Sequence, residues 1–252
     1  MTGDGGSGTQ AVERALAILQ WFDERTPELS PAEVATRLGV HRSTATRLLQ
    51  ALERQGFLDS DAETGRFRLG LQLVTLAGLV LNRFPVRSLA HDILRELRDE
   101  TEETAYLGLL DGREVVYIDQ ASSSHVAVNV DWVGYRQPLT AGATGFLLLA
   151  FQPPDVAAEL ARLAVGQAEP RVPSEIELAA IRRDGYLVRR NPDPGADSGV
   201  AAAVRDHLGT TIAALTVTVP NHRSNGRLDE LVTPAVLRAA ARVSERLGYR
   251  AA

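Results

Sequence analysis

The stretch from His41 to Arg54 places polar side chains along one face of a predicted helix. At helical spacing these side chains recur every three or four residues, at Ser43, Arg47, Gln50 and Arg54. The opposite face is apolar and holds Ala45, Leu48, Leu49 and Leu52. Since the polar face buries nothing, its hydroxyl, amide and guanidinium groups are free to meet a ligand. Such a helix fits the major groove of B-DNA, where Arg reads guanine and Ser or Thr contact phosphates or base edges.

A second short helix must precede this one to form a helix-turn-helix. Ser30 is a good N-cap before Pro31 at the first helical position, and Gly39 stops the run and makes the turn. We therefore expect a helix pair whose second member presents these residues to DNA: Arg42, Ser43, Thr44, Arg47 and Gln50.

The segment after the helix pair has the pattern of a β-hairpin. Two short apolar runs, 56–59 and 66–69, flank the Gly-containing turn 61–65. Alternation predicts that Phe57, Leu58, Phe67 and Leu69 anchor this wing on the helices. Arg66 and Arg68 then project to the other side, towards phosphate or the minor groove. Taken singly, each arginine is better interpreted as a solvated surface charge. It is the helix pair followed at once by an Arg-bearing hairpin that favours DNA binding.

The N-terminal residues supply a leader and the first helix of the DNA-binding unit. Residues 1–8 are rich in Gly without periodicity and predict a disordered leader, after which a helix opens at Thr9 or Gln10. Arg14 lies away from the apolar side of that helix, which leaves it as a contact to the DNA backbone, a solvated charge or the partner of an acid. The winged helix-turn-helix is thus expected over residues 9–69.

The next helix, over residues 70–84, is apolar around much of its circumference, more than docking on one small domain would use. We interpret it as a linker helix that also packs against a second copy of the chain, because so many exposed leucines would otherwise favour aggregation. Pro85 then breaks the helix.

Residues 85–252 alternate helix and strand patterns typical of an α+β domain with an antiparallel sheet. Helices are predicted over 86–100, 142–151, 156–165, 174–184 and 228–247, and strands over 104–110, 114–120, 126–133, 186–190, 199–205 and 211–219.

Composition narrows the function further. The 252 residues contain no Cys, and the five His are scattered, so we expect neither a metal nor a cofactor. The start lacks the apolar core of a signal peptide, and the longest apolar run, 71–81, is too short to span a bilayer, so the protein is expected in the cytoplasm without membrane contact. The net charge is −5, yet residues 1–83 are nearly neutral and cluster their arginines on the expected DNA face.

Several motifs together resemble the IclR family of bacterial transcriptional regulators, from about Gln10 to Gly248. They are Val12–Leu19, the helix pair, Gly56–Leu58 with Glu63–Gly70, Asp111–Tyr117, and Pro138-Leu139 with Gly145 before Leu147–Ala150. The resemblance implies an N-terminal winged helix-turn-helix, a linker helix, a C-terminal GAF-like domain that binds a small effector, and homodimers or homotetramers on a palindromic double-stranded DNA operator.

The resemblance also implies an effector pocket. Carried over to this sequence, its lining residues are Ala141, Gly142, Ala143, Thr144, Arg189, Ser198, Gly199, Thr216 and Thr218. Relatives commonly have Cys at the position of Gly199 and an acid at that of Arg189 or Arg190. An arginine here would pair with an anionic effector, since its fork of donors matches a carboxylate; the alternative is that both arginines are surface charges.

Three function classes follow from these patterns. The first is a ligand-responsive transcription factor, with repression as the favoured sense and a small carboxylic acid as effector. The second, an enzyme, lacks support because no nucleophile elbow, glycine-rich phosphate loop or metal spacing appears. The third is a constitutive DNA-binding protein whose C-terminal domain only assembles oligomers.

Overall fold

A computed structural model describes residues 5–23, 25–123, 131–163, 173–193, 195–224 and 226–250. The chain divides into two compact units, Met1–Arg83 and Phe84–Ala252. The predicted boundary between linker helix and C-terminal domain, at residues 84 and 85, therefore lies within one residue of the division.

The first unit is a three-helix bundle with a hairpin and one further helix. Its elements are α1 (Gly5–Leu19), α2 (Pro31–Leu38), α3 (Arg42–Arg54), β1 (Leu58–Ser60), β2 (Phe67–Leu69) and α4 (Gln72–Leu81). The core packs Ile18 of α1 against Val34 of α2 and Leu49 of α3, all fully buried. Helix α1 begins at Gly5, so the predicted unstructured leader is wrong from residue 5 onward, and residues 1–4 lie outside the described part of the chain.

Local capping sets the ends of the helix pair. Ser30 and Glu33 form a capping box, in which the Ser30 hydroxyl accepts from the Glu33 N–H and the Glu33 carboxylate accepts from the Ser30 N–H. Gly39 has φ +64°, a left-handed conformation that ends α2. His41 is the N-cap of α3 and accepts from the Ser43 N–H. The predicted cap, stop and second helix are all confirmed.

The wing is a short antiparallel hairpin, β1 against β2, extended by mutual backbone hydrogen bonds between Leu29 and Phe67. Leu58 and Phe67 are buried and anchor it as predicted. Leu69 is 46% exposed, so its predicted anchoring role is wrong. Leu69 is the last residue of β2, where the chain leaves the hairpin for α4.

Helix α4 buries none of its residues within the unit. Leu71 at its N-cap, Val74 and Leu79 are each more than 60% exposed. The prediction that this helix carries more apolar surface than one small domain can cover is confirmed.

The second unit contains a six-stranded antiparallel sheet. Its strands are β3 (Thr104–Asp111), β4 (Glu114–Ala121), β5 (Arg136–Pro138), β6 (Tyr186–Arg189), β7 (Asp197–Arg205) and β8 (Thr211–Pro220), in the spatial order β5-β4-β3-β8-β7-β6. The antiparallel sheet predicted from the strand pattern is confirmed.

Helices cover both faces of the sheet. They are α5 (Pro85–Thr101), α6 (Gly142–Ala150), α7 (Pro154–Leu163), α8 (Glu175–Asp184) and α9 (Thr233–Arg246). Helices α5 and α9 pack on one face, and α6 packs on the other with α8 beside it. A β-bulge in β4 opposite Leu107 and Gly108 lets Tyr117 reach α6 while Asp119, only two residues later, bonds to His91 of α5.

Two predicted elements of this unit differ from the structure. Of the strand predicted over 126–133, residues up to 130 lie outside the described part and Asp131–Val133 form loop and turn. The strand β5, at Arg136–Pro138, was not predicted. The helix predicted from Leu228 begins with a π-helical turn, Leu228–Val232, before α9. Pro234 has no backbone N–H and so cannot make the α-helical hydrogen bond to the carbonyl four residues earlier. In this turn the Thr233 hydroxyl also donates to the Leu228 carbonyl at 2.6 Å.

Candidate functional sites

The exposed face of α3 carries the side chains expected to reach DNA. Arg42, Ser43, Arg47 and Gln50 are exposed and Thr44 is half-buried. Within the described part of the chain, neither Arg42 nor Arg47 makes an ion pair. The Ser43 hydroxyl lies 2.8 Å from the His41 ring, so this cap also orients the first polar residue of the face.

A groove between α1 and α3 gathers further basic residues. It encloses about 550 Å³ and is lined by Arg14, Arg47 and Arg54, with amide groups from Gln10 and Gln50. The predicted Arg14 thus lies in the same groove as the polar face of α3. Three guanidinium groups around one groove provide five N–H donors each for phosphate oxygens.

The two wing arginines have different surroundings. Arg68 is exposed, opposite Asp59 in the hairpin. Arg66 instead donates to the Glu28 carbonyl and to the Glu33 carboxylate, both at 3.0 Å. The prediction that both arginines project away from the unit is wrong for Arg66, because the capping glutamate of α2 lies within its reach.

In the second unit, one cavity of about 220 Å³ lies between the start of α6 and the sheet, and we call it the effector cavity. It is lined by all nine residues carried over by the resemblance: Ala141, Gly142, Ala143, Thr144, Arg189, Ser198, Gly199, Thr216 and Thr218. Six further residues complete the lining: Tyr106, Tyr117, Trp132, Gln137, Asn191 and Asp197.

Sheet register aligns the cavity floor. Thr218 of β8 lies between Gly199 of β7 and Thr104 of β3, and Thr216 lies beside Tyr106. Because side chains two apart on a strand share a face, both threonines point to the cavity. At Gly199 an added Cβ would lie 3.3 Å from the Ala143 Cβ, so the absence of a side chain there leaves room between β7 and α6.

A chain of hydrogen bonds crosses one wall of the cavity. The Gln137 amide donates to the Tyr117 hydroxyl at 2.8 Å, which donates to Thr144 Oγ1 at 3.2 Å, and Thr144 and Thr216 share a bond of 2.9 Å. Burial raises the pKa of the Tyr117 phenol to about 12 and also raises that of Tyr106. Both phenols are therefore neutral at physiological pH and add no negative charge.

Aromatic rings form a second wall. Tyr106 lies 5.4 Å from Tyr117 and 6.5 Å from Trp132 between ring centroids, the latter edge-to-face. The predictions missed all three rings. Alternation along β3 could have suggested Tyr106, whereas the bulge shifts the facing of Tyr117 and Trp132 lies in a loop without periodicity.

Positive charge enters the cavity from two elements. Arg189 lines it with its guanidinium 5.1 Å from the centre of the Phe146 ring. Helix α6 begins at the cavity, and Ala141 at its N-cap offers no side-chain acceptor, so the positive end of its dipole faces this space. Asp197 supplies the opposing negative charge.

Two further observations concern other site types. Among the described residues no group of three His, Cys, Asp or Glu side chains is placed to hold a metal ion. No single helix of that part of the chain is long and apolar enough to cross a membrane.

Comparisons with known proteins assign both units. A family model described as "IclR helix-turn-helix domain" matches residues 11–62, and one described as "Bacterial transcriptional regulator IclR C-terminal" matches residues 78–245. The chain belongs to the IclR family. As an IclR protein it is a DNA-binding transcriptional regulator, and it is not an enzyme.

Its IclR relatives match over nearly their full length. The regulator XynR of Escherichia coli is 32% identical over 96% of this chain and 98% of its own. The E. coli repressor AllR is 27% identical over 97% and 92%, respectively. An IclR homologue from Microbacterium hydrocarbonoxydans, solved with 4-hydroxybenzoate, has the same fold, with a TM-score of 0.79, 24% identity and coverage of 94% of this chain and 98% of that one.

Proposed function

We propose that this IclR protein is a ligand-responsive repressor that binds a palindromic operator and senses a small carboxylic acid. The observation that carries the proposal is the effector cavity, in which an arginine, a helix N-terminus and two strand threonines converge beside three aromatic rings. Its volume of about 220 Å³ lies below the roughly 300–1,000 Å³ typical of sites for drug-sized ligands, which favours a small metabolite.

The charge distribution favours an anion with a flat apolar body. A carboxylate next to Arg189 and the α6 N-terminus would gain charge-assisted hydrogen bonds. Its apolar part would then lie against Tyr106, Tyr117 and Trp132. The Microbacterium protein of the same fold was solved with an aromatic acid, 4-hydroxybenzoate.

For the DNA side, we propose that α3 enters the major groove with Arg42, Ser43, Thr44, Arg47 and Gln50, while Arg14 and Arg68 contact phosphates. The exposed apolar surface of α4 supports assembly with a second copy of the chain, which a palindromic operator requires. The sense of regulation rests on relatives such as AllR, which is a repressor.

Footprinting on the DNA upstream of the protein's own gene tests this function, with and without a panel of small carboxylic acids. We expect protection of a palindrome that weakens with one acid. Protection that no acid changes would contradict ligand sensing and favour the constitutive DNA-binding alternative. The absence of protection at any palindrome would contradict the proposed operator.

A further inference from the structure

Asn221 lies directly after β8 and does not line the effector cavity, yet it binds the loop that does. This loop connects β6 to β7 and contributes Asn191 to the cavity lining, and Asp197, the first residue of β7, lines the cavity where the loop ends. Neither the family matches nor the carried-over pocket residues include a role for Asn221.

Asn221 bonds to this loop at several points. Its side-chain amide donates to the Asn191 carbonyl at 2.9 Å and to the Asp193 carbonyl, and its backbone N–H donates to the Ala196 carbonyl at 3.1 Å. Its Oδ1 accepts from the Ser198 hydroxyl at 2.6 Å. Ser198 in turn accepts from the Asn191 N–H at 3.1 Å, which closes a ring of hydrogen bonds that we call the clasp.

The clasp lies between two cavities. The effector cavity shares Asn191 and Ser198 with a second cavity of about 450 Å³, which Asn221 and His222 also line. Because the two shared residues are the ones that Asn221 holds, the partition between the smaller space and the larger one consists of the Asn191 backbone and the bonded side chains of Ser198 and Asn221.

We infer that Asn221 is a specificity-determining residue, which limits the length of the acid that the effector cavity accepts. With the clasp closed, Asn191 and Ser198 end the cavity, and a ligand must fit within its smaller volume. Removing the Asn221 side chain deletes its bonds to the Asn191 and Asp193 carbonyls and to Ser198, and leaves Asn191 bonded to Ser198 alone within the clasp. The loosened partition then joins the two spaces and admits a longer chain. The inference rests on the proposed sensing of a carboxylic acid.

The test compares a short and a long acid, benzoate and 4-phenylbutyrate, by calorimetric titration of the full-length protein. We expect the wild-type protein to prefer benzoate, and Asn221→Ala to shift the ratio of the two dissociation constants by about tenfold or more towards the longer acid. The matched control is His222→Ala, which alters the second cavity without touching the clasp and should leave the ratio unchanged.

The outcomes separate the two proposals. If the wild-type protein binds benzoate and Asn221→Ala leaves the ratio unchanged, the role of Asn221 is overturned while acid sensing stands. If the wild-type protein binds no acid of the carboxylic acid panel used for footprinting, both the role of Asn221 and acid sensing are overturned. Should Asn221→Ala fail to fold, Asn221→Asp keeps the acceptor for Ser198 but removes both side-chain donors to the loop, and the same ratio decides.

Discussion

Arginines are used differently in the two units. On α3 of the N-terminal unit, Arg42, Arg47 and Arg54 make no ion pair with any described residue. In the C-terminal unit, α9 and α5 are joined by a ladder of pairs at four-residue spacing: Arg238–Glu100, Arg242–Glu96 and Arg246–Asp92. The first set has no acid partner among the described residues, whereas the second joins two helices of the same unit.

The comparison shows why residue type alone does not identify a DNA contact. All 27 basic residues of the chain are arginines, so composition cannot separate the two uses. What distinguishes the two uses is whether a carboxylate lies within bonding distance of the arginine in the folded unit. In the N-terminal unit Arg66 has such a carboxylate, that of Glu33.

The largest effect on operator binding is expected for Arg47, the middle one of the three arginines of α3 that make no ion pair with a described residue. Arg47→Ala should weaken operator binding by about 1–3 kcal/mol, roughly 5- to 150-fold, because one guanidinium contact to a base or phosphate is lost. Fluorescence anisotropy of a labelled operator, titrated with protein at several salt concentrations, measures this loss of affinity. Arg242→Ala removes the same charge from the paired ladder and should leave operator affinity unchanged. Equal losses in the two variants would contradict the distinction.

A further arginine, Arg189, tests the ligand side of the C-terminal unit. Arg189→Gln should weaken benzoate binding by about tenfold or more, as expected for a lost hydrogen bond to a charged group, while the weaker binding of neutral benzamide stays the same. Titration of both ligands measures the difference. The neighbouring Arg190 pairs with Asp229, does not line the effector cavity and serves as the control, Arg190→Gln. If benzoate and benzamide lose equally, Arg189 does not recognise the carboxylate.

A smaller effect is expected where Arg66 is paired. Hydrogen bonds from Ser30, with a smaller contribution from Arg66, lower the pKa of Glu33 to about 2, so the pair is charged at neutral pH. Glu33→Gln keeps an acceptor for the Ser30 N–H and frees Arg66 from the carboxylate on α2, although Arg66 keeps its bond to the Glu28 carbonyl and the Glu28 carboxylate 3.6 Å away. Operator affinity should therefore rise by about twofold, with a steeper salt dependence.

Glu53→Gln is the control for Arg66, because the Glu53 carboxylate contacts Ser60 and its loss removes the same charge without releasing an arginine. The same gain in both variants would mean that net charge, and not the freed Arg66, changes the affinity.

The smallest effect, on thermal stability, is expected for the Arg246–Asp92 pair of the ladder between α5 and α9. Hydrogen bonds from Arg246 lower the pKa of Asp92 from its ordinary 3.8 to about 2. A carboxyl whose pKa falls on folding stabilises the protein above its unfolded pKa, and this contribution is lost as the pH drops from about 4 to 2. Arg246→Gln should therefore lower the melting temperature by about 1–3 °C at pH 7 and hardly at all at pH 2.

Thermal unfolding monitored by circular dichroism at both pH values checks this prediction. Arg250→Gln, at an exposed arginine near the C-terminus, is the control and should change neither value. A difference for Arg246→Gln that persists at pH 2 would show that the side chain acts by packing and not through its charge.

Sequence by itself determined the elements whose signals are local. Ser30, Gly39 and the apolar period of α3 act within one or two helical turns, so their types and spacing were sufficient to predict the helix pair. The same holds for Thr216 and Thr218, because alternation along one strand decides that they share a face.

Only the tertiary structure decided which distant groups meet. Glu33 captures Arg66 across 33 residues, and Asn221 reaches Asn191 across 30. The bulge in β4 turns Tyr117 towards α6, although simple alternation would place it on the same face as Asp119. Such contacts depend on sheet register and helix packing, which bring together residues whose separation along the chain has no periodic pattern to reveal it.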